Sequence, residues 1–572
     1  MTRDGRASCV PARALPLLLL MVAAGGCRQN PFTTAGSDYE RVVPVQTLRG
    51  SDPVALDDFV LRDEQGEPVA PRALGAPQGE TYRLTVEDAR GSALTNNLDL
   101  AVRRLDPTIA STRITEQEAA FEALFSLDGR WLELDDAVAS DLDSAERRFQ
   151  TLTPSVSVPL RTGGRAAVRL PMSRNRTDNQ FATFDPSYTS DLEFSLSHEL
   201  LRGAGRDANT APLRLAALDR DATEAQTTLE IIRQLAAVDR SYWRLYAAQQ
   251  TLLVRQEELE LAQAQLDRAR RLFDNERVPE IEVIRAESGV AERLDGIIRA
   301  ENNLLRQRRE LKRIINLPGL ELAGDRPLEI DSPPAPFEFE LDREALASAA
   351  VERRMEMIEL EIRLAQDATN VRLERNRALP LLTLDYVYRI NGLGDSLGDS
   401  FDTVGDNEFE SWELGLRAEV PLGNEAAESR VRRAILTRLQ RLRSKDAREL
   451  SIRQEVYDAV DELHSAWQRL SASRQSVVLN TRAFKAEQRQ FGVGRSTSTD
   501  VLDASARLAV ARLEEVSALV DYQVAKVDLA FATGTLLGFA RVDWTPDQPE
   551  EAERDGPAWP WGTGVAAGPD SE

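Results

Sequence analysis

The chain of 572 residues carries a formal net charge of −23, from 71 Lys and Arg against 94 Asp and Glu. A chain this acidic is a poor partner for nucleic acid, and two histidines with two cysteines cannot build a Cys/His metal cluster. Charged residues make up 29% and aromatics only 6%, the balance of long solvated helices rather than of several ordinary globular cores.

Residues 1–26 read as a targeting segment. Arg3, Arg6 and Arg13 are basic, and Leu15–Ala24 is an apolar stretch of about ten residues, too short to span a bilayer as a helix. Ala24, Gly25 and Gly26 then precede Cys27, an order that resembles a bacterial lipoprotein signal. The resemblance implies that Cys27 becomes the acylated first residue of the mature protein. Arg28 follows it, in place of the aspartate associated with inner-membrane retention, which implies an outer-membrane destination. Residues 27–80, rich in Pro, Asp and Gly without sustained periodicity, read as a linker. No other stretch offers 18 apolar residues, so any crossing of a membrane requires a closed barrel.

The rest of the chain reads as a duplication, residues 81–320 and 342–540, each a pair of strands followed by a pair of long helices. Helical pattern begins near Tyr82 and continues through Ile114–Leu127, and residues 122–150 read as a short insertion. Strand alternation follows at about 155–172 and 188–201, then helices at about 206–273 and 281–316. A non-helical segment, 321–341, separates the copies, and a shorter helix over Asp342–Leu379 opens the second. Its strands fall at about 380–391 and 410–420, its helices at about 425–491 and 499–539, and residues 541–572 form an acidic, Pro/Gly-rich tail that reads as disordered. His198 and His464 read as ordinary strand-face and helix-face residues.

In the strands, Leu192, Phe194 and Leu196 alternate with Glu193, Ser195 and Ser197, and Trp412, Leu414 and Leu416 with Glu413 and Arg417. One apolar and one charged face fit a transmembrane barrel with an aqueous lumen, and equally a half-buried sheet in a soluble domain. Four strands cannot close a barrel with a lumen, so either the sheet is open or several chains contribute to it. The helices are the second constraint. A helix of some 65 residues is roughly 100 Å long, and its stripe (Leu252, Leu259, Ala262, Leu266, Ala269, Phe273) must pack lengthwise against neighbours.

The run Phe491–Arg512, FGVGRSTSTDVLDASARLAVAR, resembles the helix–turn–helix tip of the TolC-type outer-membrane efflux protein family: an aromatic, two spaced glycines, then Asp-Val-Leu-Asp-Ala opening the returning helix. HELLRGAG, VPLGNEAAESR and the ATGTLLG end (Ala532–Gly538) support it, and the resemblance covers about Tyr82 to Phe539. It implies an α-helical barrel joined to a transmembrane β-barrel: four strands per chain, and in a homotrimer a 12-stranded barrel continuing into a 12-helix tunnel. It further implies outer-membrane lipid around the barrel, a periplasmic adaptor and an inner-membrane transporter docking at the tip, and no cofactor.

At the tip itself, Gly492 and Gly494 permit a tight reversal, and Thr499 or Ser498 is positioned to cap the returning helix. Asp500 suits the positive end of the helix dipole, and Asp503, three residues on, lies on the same face. From the residues alone these are helix-start and solvated acids or functional ones. With the resemblance they become a ring of carboxylates at the pore constriction, cation-favouring and pH-dependent in conductance, with Arg495 and Arg277 as candidates to hold it shut. The first-half tip departs from this pattern: it has no glycine, carries Glu276 and Pro279, and sets Glu282 and Arg285 where the second copy has Asp500 and Asp503.

No nucleophile motif, Walker A loop or metal spacing accompanies these features, so the chain reads as a passive exit duct of a tripartite pump rather than an enzyme. The alternatives are a periplasmic coiled-coil adaptor and a non-conducting envelope lipoprotein. The cargo is not legible.

Overall fold

The computed structural model describes residues 81–137, 144–179, 181–277, 279–322, 326–332, 334–492 and 495–542. The signal with Cys27, the linker, Gly494 and the tail beyond residue 542 lie outside the described residues.

The first strand, β1 (Tyr82–Leu84), pairs in parallel with β7 (Leu328–Ile330), so the segment between the two copies is bound to the start of the first. Helix α1 (Val86–Asn96) is capped by Thr85, and α2 (Leu98–Ala119) by Asn97, whose side chain accepts from the Leu100 N–H. Asn97 also donates 2.9 Å to the Ile314 carbonyl, covering an acceptor that the end of a neighbouring helix leaves open.

The strand count differs from the expected four. The helical pattern does not run on to Leu127: α2 ends at Ala119 and the chain turns into strand at Leu124. Residues 122–150 are not a short insertion but β2 (Leu124–Asp135) and much of β3 (Glu146–Pro159), an antiparallel hairpin. The stretch 155–172 is likewise not one strand. It is the end of β3, a turn, and β4 (Arg165–Arg169), with β5 (Met172–Thr177) continuing β4 along the same neighbours. Gly163 and Gly164 make that turn at φ of +95° and +121°. A Cβ at Gly164 would lie 2.2 Å from the Ser197 carbonyl oxygen, so the reversal requires glycine. With β6 (Ser187–Glu199), β8 (Leu381–Gly394) and β9 (Glu410–Glu419), the strands fill six positions in the order β2-β3-β4/β5-β6-β8-β9. The described sheet of one chain therefore holds more than the expected four strands.

Register fixes two unbroken rows across this sheet. Phe125, Val156, Val168, Phe194, Tyr388 and Trp412 stand side by side on one face. Ser126, Ser155, Arg169, Glu193, Arg389 and Ser411 form the adjacent row on the other, with Glu193 accepting from Arg389 at 2.7 Å and from Arg169 at 3.3 Å. Side chains alternate with period two, so along these rows the sheet has one apolar and one polar face, whereas toward the far end of β2, β3 and β5 the two mix, with Arg148 and Arg174 on the first and Leu132 and Phe149 on the second. A short helix, α7 (Leu397–Asp406), packs against β6 and β8, with the Ser190 and Ser400 hydroxyls 2.7 Å apart.

The long helices are α3 (Ala211–Asp274), α4 (Glu280–Ile315), α8 (Glu425–Gly492) and α9 (Ser498–Ala532). The last stops earlier than the expected 539, at a turn in which Gly534 takes φ +69°. The helix expected over Asp342–Leu379 is two, α5 (Arg343–Arg353) and α6 (Met355–Arg377), broken at Arg354. No proline or glycine marks this break. Arg354 is extended and buried, and its guanidinium bonds Glu356 on α6 and Glu455 on α8.

Nearest the sheet the helices neighbour one another as α2–α3–α6–α8, and nearest the tips as α4–α3–α9–α8. In both layers the inner faces are buried and the outer edges are not. Leu98, Val102, Leu105 and Ile109 make an exposed apolar stripe at helical spacing along α2. Ile281, Ile284, Leu294 and Ile298 do so on α4, and Leu436, Leu439, Leu450 and Val478 on α8. Between the layers, Arg90 on α1 forks onto Asp239 of α3 at 2.8 and 2.7 Å, with the carboxylate wholly buried. Burial pushes the Asp239 carboxyl up and the Arg90 guanidinium opposes it. Among the described residues no helix is long and apolar enough to cross a membrane.

Candidate gate at the helix tips

Both helical hairpins reverse through the same backbone bond. At the first tip the Arg277 N–H donates to the Leu272 carbonyl at 2.9 Å, and at the second the Arg495 N–H donates to Gln490 at 3.0 Å. The residue before Arg277 is Glu276, held at φ +56° in the left-handed region that normally favours glycine, and its N–H donates to Phe273 at 2.8 Å. These two bonds are those of a helix-ending Schellman turn. The first tip therefore makes the turn without its glycine, at the cost of a strained non-glycine residue. In the second copy the matching position is Gly494, outside the described residues, and Gly492 is the last residue of α8.

The tips diverge at the start of the returning helix. Pro279 precedes α4 and provides no side-chain cap. Before α9 stands Thr497, whose hydroxyl accepts from the Asp500 N–H at 3.2 Å while the Asp500 carboxylate accepts from the Thr497 N–H at 2.9 Å. This reciprocal capping box replaces the expected cap at Thr499 or Ser498. Its signature, Thr497 three residues before an acidic side chain, is present in the sequence. The Ser496 hydroxyl sits 2.8 Å from Glu487 and 3.3 Å from the Asp500 carboxylate. Hydrogen bonds from the Thr497 side chain, then its backbone, hold the Asp500 carboxyl below the usual aspartate range.

Ser498 turns inward instead. It is buried, and Gln265 of α3 donates to its hydroxyl at 2.7 Å, a stitch between the two hairpins that sequence reasoning had no means to pair. Nearby, Leu502 packs beside Gly289 of α4, and the Arg268 guanidinium lies 4.8 Å from the Phe491 ring centroid. Val501, Leu502, Ala504 and Ser505 are buried, leaving Asp500 and Asp503 exposed on the opposite side of α9. Asp503 makes no hydrogen bond or ion pair among the described residues. At the corresponding place in the first tip, Arg285 donates to Glu282 at 2.7 Å, so that pair is neutral. The side chains of Arg277 and Arg495 form no ion pair within the described chain. His198 bonds the Glu199 carbonyl and Thr162 at the strand end, and His464 bonds Gln468 one turn on.

The sequence profile of the family described as "Outer membrane efflux protein" matches residues 346–535, a span that includes this second tip. The outer membrane protein TolC of Vibrio cholerae is 29% identical over 198 residues, covering 34% of this chain and 44% of that protein, so the match spans less than half of its relative. A membrane protein from Pseudomonas aeruginosa superposes with a TM-score of 0.60 at 15% identity, over 78% of this chain and 93% of that one. The CmeC outer membrane channel of Campylobacter jejuni does so at 0.58 and 14%, over 83% and 95%. Likenesses at these identities carry the fold alone. Residues 346–535, about a third of the chain, thus match the outer membrane efflux protein profile, in line with the TolC-type resemblance of the sequence.

Proposed function

We propose that three copies of this chain form a passive exit duct through the outer membrane, fed by an inner-membrane transporter through a periplasmic adaptor. The observation that carries this reading is the pair of open edges. A four-helix array with exposed apolar stripes on both flanks, below a sheet with one apolar and one polar face, is a wall segment rather than a finished core. Copies placed edge to edge cover the stripes and enclose a polar lumen. An adaptor role is disfavoured because both hairpins and the sheet lie in one chain.

Within the duct, Asp503 and Asp500 from each copy form the carboxylate ring at the closed end, and Gly492, Gly494 and Arg495 form the turn beside it. The two acids have different roles. Asp500 is bound into the cap and fixes where α9 begins, whereas Asp503 offers an uncommitted charge to the lumen. Cys27, acylated, anchors the mature chain to the membrane that the barrel spans, and the mass of the mature N-terminal peptide tests this.

Single-channel recording in planar bilayers tests the duct. Purified protein carrying Asp500→Ala and Asp503→Ala is expected to open far more often than wild type and to lose its cation preference. Absence of conductance from that loosened variant, folded and assembled, overturns the duct in favour of a non-conducting envelope protein.

A further inference from the structure

We propose that the β2–β3 hairpin is part of the barrel wall, so that three copies close an eighteen-stranded barrel in which β2 of each copy pairs with β9 of the next. This rests on the trimeric duct reading and departs from the twelve strands that the family resemblance implies.

Three observations carry it. Both rows of the sheet run through the base of the hairpin: Phe125 and Val156 continue the apolar row, and Ser126 and Ser155 the polar one, while farther along Gln150 and Arg148 share the first face and Leu132 and Phe149 the second. A hairpin lying outside the wall has no reason to keep the wall's two faces in register. Next, β3 is bonded along its whole length, to β2 on one side and to β4 with β5 on the other, which leaves β2 and β9 as the two unpaired strands. Finally, those edges stand over the edges of the helical array. β2 follows directly from α2, the helix with the exposed Leu98–Ile109 stripe, and β9 runs directly into α8, the flank on the other side. A rotation that brings α8 of one copy against α2 of the next therefore brings β9 against β2. An edge strand buried in lipid with unpaired N–H and C=O groups is not sustainable, so the pairing must be made.

The occupant of each edge is thus a second copy of this chain. The wall it makes is wide. At about 4.8 Å per strand and a tilt near 40°, eighteen strands give a backbone diameter of roughly 36 Å against roughly 24 Å for twelve, about twice the cross-section. Twelve helices packed about 9–10 Å apart close a ring of roughly the same diameter, so an eighteen-stranded wall matches the tunnel below it.

Disulfide cross-linking of the full-length protein in lipid tests the pairing. Ser411→Cys or Glu413→Cys on β9 is combined in one chain with Ser126→Cys or Asp128→Cys on β2. A parallel set combines the same β9 positions with Arg165→Cys or Ala167→Cys on β4. Covalent dimer and trimer bands from the β2 set, absent from every single variant, are the expected result. Bands from the β4 set instead, or from neither set, overturn the proposal. Electron cryo-microscopy of the unsubstituted protein gives the strand count independently of whether a variant folds: eighteen supports the wall, twelve overturns it. Native mass keeps the two readings apart. A particle that is not trimeric refutes the duct as stated, whereas a twelve-stranded trimer refutes only the role of β2 and β3.

Discussion

At the first tip Arg277 bonds back to Leu272 and at the second Arg495 bonds back to Gln490, yet beyond the turn the two chains part. The first returns through Pro279 into a helix whose facing charges, Glu282 and Arg285, cancel. The second returns through a reciprocal cap that immobilises Asp500, with Asp503 exposed one turn further on. The two tips share the mechanical part, a bond that ends a long helix, and differ in the chemical part. In the proposed duct one charged tip suffices, since the narrowest ring decides which ions pass.

Substitutions at and beside the tips separate the mechanical part from the chemical one. Gln265→Leu removes the donor that reaches buried Ser498 and leaves a hydroxyl without a partner, a loss of about 1–3 kcal/mol. Thermal unfolding of the assembled protein should register it, and hydrogen exchange should localise it to the α3–α9 contact. An unchanged exchange pattern would show that the stitch is incidental. Thr497→Ala removes one half of the capping box and should cost about 1 kcal/mol. Amides at the start of α9 exchange faster in that variant, while those at the start of α4, which has no side-chain cap, do not change. At the other tip Glu276→Gly relieves a left-handed residue and should stabilise by about 0.5–1 kcal/mol, slowing exchange around Asn275. Destabilisation there would mean that the Glu276 side chain has a role its backbone conceals.

Acid adds a finer distinction. The Asp500 carboxyl is held below its unfolded value, so the stability contributed by the cap is fully present above the ordinary aspartate range and is lost as pH falls through the lowered value. Opening of the second tip should therefore rise only in strong acid, and Asp500→Asn should abolish that acid response. A response unchanged in Asp500→Asn would assign it to other carboxylates.

The duplication, the long helices and the second tip were legible because periodicity over tens of residues survives local noise. The hairpin was not. In Val156, Val158, Val168 and Leu170 the apolar residues keep even spacing across a chain reversal, so alternation reads straight through the Thr162-Gly163-Gly164 turn and counts two strands as one. The break at Arg354 was invisible for the opposite reason. Nothing local forbids helix there, and the interruption is imposed by acceptors on α6 and α8. The cap at Thr497 is hard to read, since four hydroxyl residues in a row, Ser496 to Thr499, compete for one cap and only the spacing to Asp500 selects among them.

The Arg354 joint limits how this chain can change length. Glu455 meets Arg354, Arg441 meets Asp367 at 2.5 Å and Lys445 meets Glu361 at 2.8 Å, so α8 is pinned to the α5–α6 segment at several points while its start is fixed by β9. Each inserted residue turns a helix by about 100°. One or two residues added between Glu425 and Arg441 swing these side chains away from their partners, whereas seven or eleven restore the angle within about 20° but shift it about 10 or 16 Å along the axis, so the pairs re-form only if α6 lengthens equally. The stretch between sheet and joint is therefore indexed like a pair of keyed shafts, able to lengthen only when both helices grow together in whole steps.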